Sequence, residues 1–98
     1  MALLKSIKLD NGITVSYHRI VSINKITNNT TIIEVASYID EEERQKEIDY
    51  YNSTEENKQM NVFIETNYVQ KEYNETDTIE ELYDYLKTTE IFKDAENV

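Results

Sequence analysis

Two alternating runs flank Asp10-Asn11-Gly12, and this signal narrows most what the chain can become. Lys5-Ser6-Ile7-Lys8-Leu9 leads into the turn, and Ile13-Thr14-Val15-Ser16-Tyr17 leads out of it. Apolar residues at every second position have the period of a strand with one buried face, and Asn-Gly is the preferred pair for the positive φ angles of a tight hairpin. Gly12 is also the only glycine of the 98 residues, so the one place that uses its conformational freedom is a turn.

The alternation continues through Ile13, Val15, Tyr17, Arg19, Val21 and Ile23, with Thr14, Ser16, His18 and Ser22 opposite. It breaks at Arg19 and Ile20, which predicts a bulge near Arg19. Thr27-Asn28-Asn29-Thr30 is a second turn signal, and the β-branched run Thr31–Ile39 predicts a third strand. Asp40 is placed to cap a helix over Glu41–Tyr51, with Glu42 and Lys46 as an i,i+4 pair. Its apolar stripe is thin: Ile48, Tyr50 and Tyr51 alone are expected to dock. Asn52–Gln59 reads as a polar connection, and Met60–Val69 as a fourth strand buried on the side of Met60, Val62, Ile64, Thr66 and Tyr68. Thr78 and Glu81 match a capping box, followed by Ile79, Leu82, Tyr83 and Leu86 at helical spacing; Ile91 and Phe92 are expected to anchor the tail. The predicted fold is α+β, a small antiparallel sheet of about four strands in the order β-β-β-α-β-α with helices packed on it, as a single domain over residues 1–98.

Charge is unevenly divided. Residues 1–39 hold four Lys/Arg against two Asp/Glu, and residues 40–98 hold six against eighteen, within a net charge of -10. Phosphate contact needs clusters of basic residues, so direct nucleic-acid binding and attraction to an anionic membrane are both disfavoured. A polarity of this kind suits docking in a fixed orientation on a protein partner. No cysteine is present, so disulfides and thiolate zinc sites are excluded. Met1-Ala2-Leu3-Leu4 is too short for a signal core or membrane span, and a virion or host-cytoplasm location is expected. The Asn-x-Ser/Thr triplets at Asn28, Asn29, Asn52 and Asn74 are read as chance in so asparagine-rich a chain.

No spacing specifies a reaction. A single histidine, His18, rules out two-histidine metal sites, and its strand position reads as a solvent-facing or hydrogen-bonded side chain. One glycine cannot supply a phosphate-binding loop or a dinucleotide turn, and no calcium loop matches. Acidic pairs after Asp40 are so abundant that none is informative. No cofactor, metal site or catalytic residue is therefore assigned. Of eight tyrosines, Tyr17, Tyr38, Tyr68 and Tyr83 belong to predicted core stripes, which leaves Tyr50, Tyr51, Tyr73 and Tyr85 as candidates for partner contact. Glu41, Glu42 and Glu43 are candidates too, either as a solvated helix start or as a row of charge resembling that of a nucleic acid.

Asn11–Ile20, Ile33–Tyr38, Met60–Ile64, Tyr83–Lys87 and Phe92–Ala95 together resemble the small uncharacterised proteins of tail and baseplate modules in phages and prophages of low-GC Gram-positive bacteria. The resemblance implies a non-enzymatic structural or assembly role, with protein partners in the form of further copies or other virion proteins. The alternative from a different class is an acidic anti-defence protein that blocks a basic channel.

Overall fold

The computed structural model of the protein describes residues 1–52 and 63–98. Its elements are β1 (Leu3–Lys8), β2 (Thr14–Ile26), β3 (Thr30–Tyr38), α1 (Glu41–Tyr51), β4 (Glu65–Glu72), α2 (Ile79–Leu86) and β5 (Glu96–Asn97). The class is α+β, but among the described residues the antiparallel sheet has five strands rather than about four, ordered β4-β3-β2-β1-β5. The extra strand is the two-residue β5, which sets Asn97 against Leu3 and Glu96 against Leu4. Two residues are too few to show a period, and only the fold of the tail brings them to β1.

The first hairpin is wider than a two-residue turn. Gly12 alone takes a positive φ, +88°, and Leu9 and Ile13 close the loop through Leu9 N–H donating to Ile13 O at 2.8 Å. Asn11 contributes through its side chain, whose Oδ1 accepts from the Ile13 N–H at 3.0 Å. This is a three-residue loop with glycine in the left-handed position. In the second hairpin Asn28 takes that conformation, at φ +58°, as asparagine tolerates better than most residues.

The bulge lies slightly beyond its expected place. Register between β2 and β3 shifts between Ile20 and Ser22, which makes Val21 the extra residue. An inserted residue reverses which face the following side chains meet. Hence His18 and Ile20 before the bulge, and Ile23 after it, oppose Ser37, Val35 and Ile33. Of the odd-numbered series Val15 is fully buried and Ile23 packs on the core as expected, but His18 and Ile20 take the core side just before the bulge, and Val21 is exposed. A similar correction applies to β4. Met60–Val62 lie outside the described residues, as does most of Asn52–Gln59. Within the strand, Val69 pairs with Ile33 and packs on the core, whereas Tyr68 is 68% exposed.

The core is Leu3, Ile33, Val35, Leu82, Leu86 and Phe92, all fully buried, joined by Tyr83 and Ala95. Thr78 Oγ1 accepts from the Glu81 N–H at 3.2 Å, so α2 starts at the expected cap. Leu82, Tyr83 and Leu86 are its buried stripe, but Ile79 is 57% exposed, and in the tail only Phe92 is buried while Ile91 is exposed. On the other face of the sheet α1 begins at its expected cap, with Asp40 Oδ1 accepting from the Glu43 N–H at 3.0 Å. Lys46 pairs with Glu43 at i,i+3 (2.8 Å) instead of Glu42. The helix docks chiefly through Glu47, with Ile48 half-buried and Tyr51 exposed. A carboxylate as the most buried residue of a helix requires partners, and these define the site below.

Candidate functional site

Strand lengths create an opening. β2 has 13 residues and β1 six, and β1 begins where Leu3 meets His18. From Arg19 onward that side of β2 has no strand partner among the described residues. Tyr83 supplies one substitute: its hydroxyl accepts from the Ile20 N–H at 2.8 Å and donates to the Met1 carbonyl at 3.0 Å. Burial pushes the Tyr83 pKa up, the Ile20 bond opposing it. A cleft of about 380 Å³ forms here between α1 and α2, which lie on opposite faces of the sheet. Arg19 and Arg44 supply its charge, and Tyr17, Ile48, Ile79 and Tyr83 much of the remaining wall.

Both arginines converge on one carboxylate. Glu47 Oε1 accepts from Arg44 Nη1, takes the Tyr38 hydroxyl at 2.9 Å and lies 3.8 Å from Arg19 Nη1. Arg19 Nη1 also reaches the Tyr38 oxygen at 3.5 Å. Burial pushes the Tyr38 pKa up and Glu47 adds to the rise, while Arg19 acts against it. The hydroxyl therefore stays protonated and serves as a donor to Glu47. The cluster holds two positive charges and one negative, unlike the chain as a whole.

His18 has a different role from a ligand or a base. It is fully buried, with Nε2 2.8 Å from the Lys5 carbonyl and Nδ1 2.8 Å from Ser37 Oγ, and its ring meets Phe92 edge-on at 5.1 Å. A carbonyl can only accept, so Nε2 carries the proton and a neutral ring takes the Ser37 hydroxyl at Nδ1. Burial lowers the His18 pKa; the Lys5 carbonyl and the charge of Glu65 oppose this, and the charge of Lys5 adds to it. Ser37 is 1% exposed, so this histidine–serine pair has no access to a substrate and joins β1, β2 and β3 internally.

The candidate contact residues fall into two groups. Glu41, Glu42, Glu43, Tyr50 and Tyr51 all lie on α1, where the rings of Tyr50 and Tyr51 meet edge-on at 5.8 Å. Tyr73 and Tyr85 are near the other end of β4, which pairs Glu65 with Ser37 and Glu72 with Thr30. Tyr85 is engaged internally: its hydroxyl donates to the Gln70 carbonyl at 3.2 Å, and Lys71 Nζ lies 5.6 Å from its ring. Lys71 pairs with Asp77 at 2.8 Å, and Lys25 bonds the carbonyls of Glu75 and Asp77, so two lysines hold the turn that leads into α2. A depression of about 430 Å³ over Lys71–Glu75 is walled by consecutive residues of that turn and gathers nothing from elsewhere in the fold.

Among the described residues no helix is long and apolar enough to cross a membrane, and no three His, Cys, Asp or Glu side chains are grouped to hold a metal ion. Comparison with protein families, curated proteins and solved structures finds no match. Sequence reasoning missed Arg19, Arg44 and Glu47 as a unit. Two signals were present: Arg19 interrupts an apolar alternation, and Arg44 and Glu47 stand three apart on a helix that is too polar to dock by apolar contact alone.

Proposed function

We propose that this chain is a non-enzymatic structural or assembly protein of a phage tail or baseplate, working through contacts with copies of itself or with other virion proteins. The setting comes from the resemblance in sequence; the contact reading is supported by the exposed Tyr68 on the β3–β4 part of the sheet. One observation carries it. Ser22 Oγ donates to Glu34 Oε1 at 2.9 Å and the Tyr68 hydroxyl to Glu34 Oε2 at 3.1 Å, a polar row that ties three strands together beneath an exposed aromatic ring. A tyrosine held by its own hydroxyl presents ring area with little conformational entropy left to lose, as protein interfaces favour. Its strand, β4, is paired on one side only among the described residues, and strand addition at such an edge is a common mode of association.

Size-exclusion chromatography with light scattering, at low and high salt, tests the reading. Assemblies that shrink as salt rises, and weaken in Tyr68→Lys, are expected; a salt-insensitive monomer absent from purified particles removes it. The nucleic-acid-mimic reading has narrower support: Glu41 and Glu42 are exposed, but Asp40 is engaged as a cap and Glu43 pairs with Lys46. Under that reading, charge reversal at Glu41, Glu42 and Glu43 abolishes inhibition of a defence nuclease.

A further inference from the structure

We propose that the cleft between α1 and α2 binds a carboxylate carried on an apolar body. Two guanidinium groups offer ten N–H donors, yet among the described residues the side-chain acceptors they meet are the Tyr38 oxygen and Glu47 Oε1. Their side chains are only 29% and 19% exposed, so bulk water reaches the unused donors poorly. Glu47 neutralises one of the two cations, and among the described residues no acidic side chain lines the cleft. The remaining surplus of one positive charge matches a monoanion, and a planar fork of donors matches the two oxygens of a carboxylate. The rest of the wall selects the body of the ligand. Ile48, Ile79 and the rings of Tyr17 and Tyr83 surround the charge with apolar surface, which suits an alkyl or aryl acid better than free phosphate. Ile79 is 57% exposed at a position where the helical stripe calls for a buried residue, as a wall awaiting a ligand would be. The site stands whether or not the chain assembles.

The test is an NMR titration of the isotope-labelled full chain at fixed ionic strength with three probes: hexanoate, hexanol and inorganic phosphate. Hexanoate is expected to move the Arg19 and Arg44 Nε–H signals and the Ile48 and Ile79 methyl signals along one saturating curve. Ile79→Glu sets a repelling carboxylate on the cleft wall without touching Glu47, and is expected to weaken hexanoate about tenfold or more, the value of one lost charge-assisted contact. Arg44→Gln is expected to do the same with an unchanged circular dichroism spectrum, and if that variant does not fold the Ile79 variant decides alone. Equal saturation by hexanol overturns the carboxylate assignment in favour of a plain apolar pocket. Saturation by phosphate without hexanoate overturns it in favour of a phosphate site. Absence of saturation by all three, or hexanoate binding unchanged in Ile79→Glu, also overturns it.

Discussion

Tyr38 donates its hydroxyl to Glu47 Oε1 at 2.9 Å, so the last residue of β3 fixes the second turn of α1 from beneath. Because Arg19 and Arg44 share that carboxylate, the bond is one side of a closed arrangement that joins β2, β3 and α1. The helix has little apolar surface with which to hold itself down. Its attachment is therefore electrostatic, and sensitive to loss of a single group.

Glu47→Gln leaves two partly buried guanidiniums without an anion. A loss of about 2 kcal/mol is expected, below the full cost for a deeply buried pair because both arginines retain some access to water. Tyr38→Phe removes one hydrogen bond and is expected to cost about 1 kcal/mol. Urea denaturation of the two variants checks the order.

The lowered pKa of His18 makes stability depend on pH in a defined direction. Above the ordinary value of 6.5 the ring is neutral in both folded and unfolded chains. Between 6.5 and the lower folded value, the unfolded chain binds a proton that the folded one refuses, so stability falls as pH falls. The slope reaches at most about 1.4 kcal/mol per pH unit and levels off below the folded value. Urea midpoints measured from pH 8 to pH 5 should show the decline, and His18→Gln should remove it.

Tyr83→Phe tests the substitute for a missing strand. The change deprives the Ile20 N–H and the Met1 carbonyl of a partner together, with an expected cost of about 1–2 kcal/mol. Tyr85→Phe loses one exposed bond to Gln70 and is expected to stay within about 0.5 kcal/mol of the parent. Thermal unfolding of the pair separates them.

Thr31 is fully buried and its Oγ1 meets no hydrogen-bond partner among the described residues. Thr31→Val replaces an unsatisfied hydroxyl with a methyl group of similar size, in a strand that favours valine. A gain of about 1 kcal/mol is expected, seen as a rise in Tm of about 4–8 °C for a domain of this size.

Where interactions are local, the residues announced the outcome. Asp40 and Thr78 bond backbone groups three residues away, and both helices start where those caps predict. The hairpins follow for the same reason, since a turn is decided by neighbours, with the refinement that Asn11 acts through its side chain and leaves the left-handed conformation to Gly12. Face assignment was less legible. β4 has apolar and polar candidates on both sides, so Tyr68 and Val69 exchange the expected roles once pairing with Ile33 is known.

By itself, then, the order of residues determined the α+β class, the caps, the turns and the acidic bias of everything after Asp40, all of which depend on spacing or composition along the chain. Tertiary structure alone decided that β5 closes on β1, that Val21 is the bulge, and that Arg19, Tyr38, Arg44 and Glu47 meet. The physical reason is range: a cap or turn is satisfied within a few residues, whereas the Glu47 cluster joins residues of β2, β3 and α1 that only sheet register and helix docking bring together.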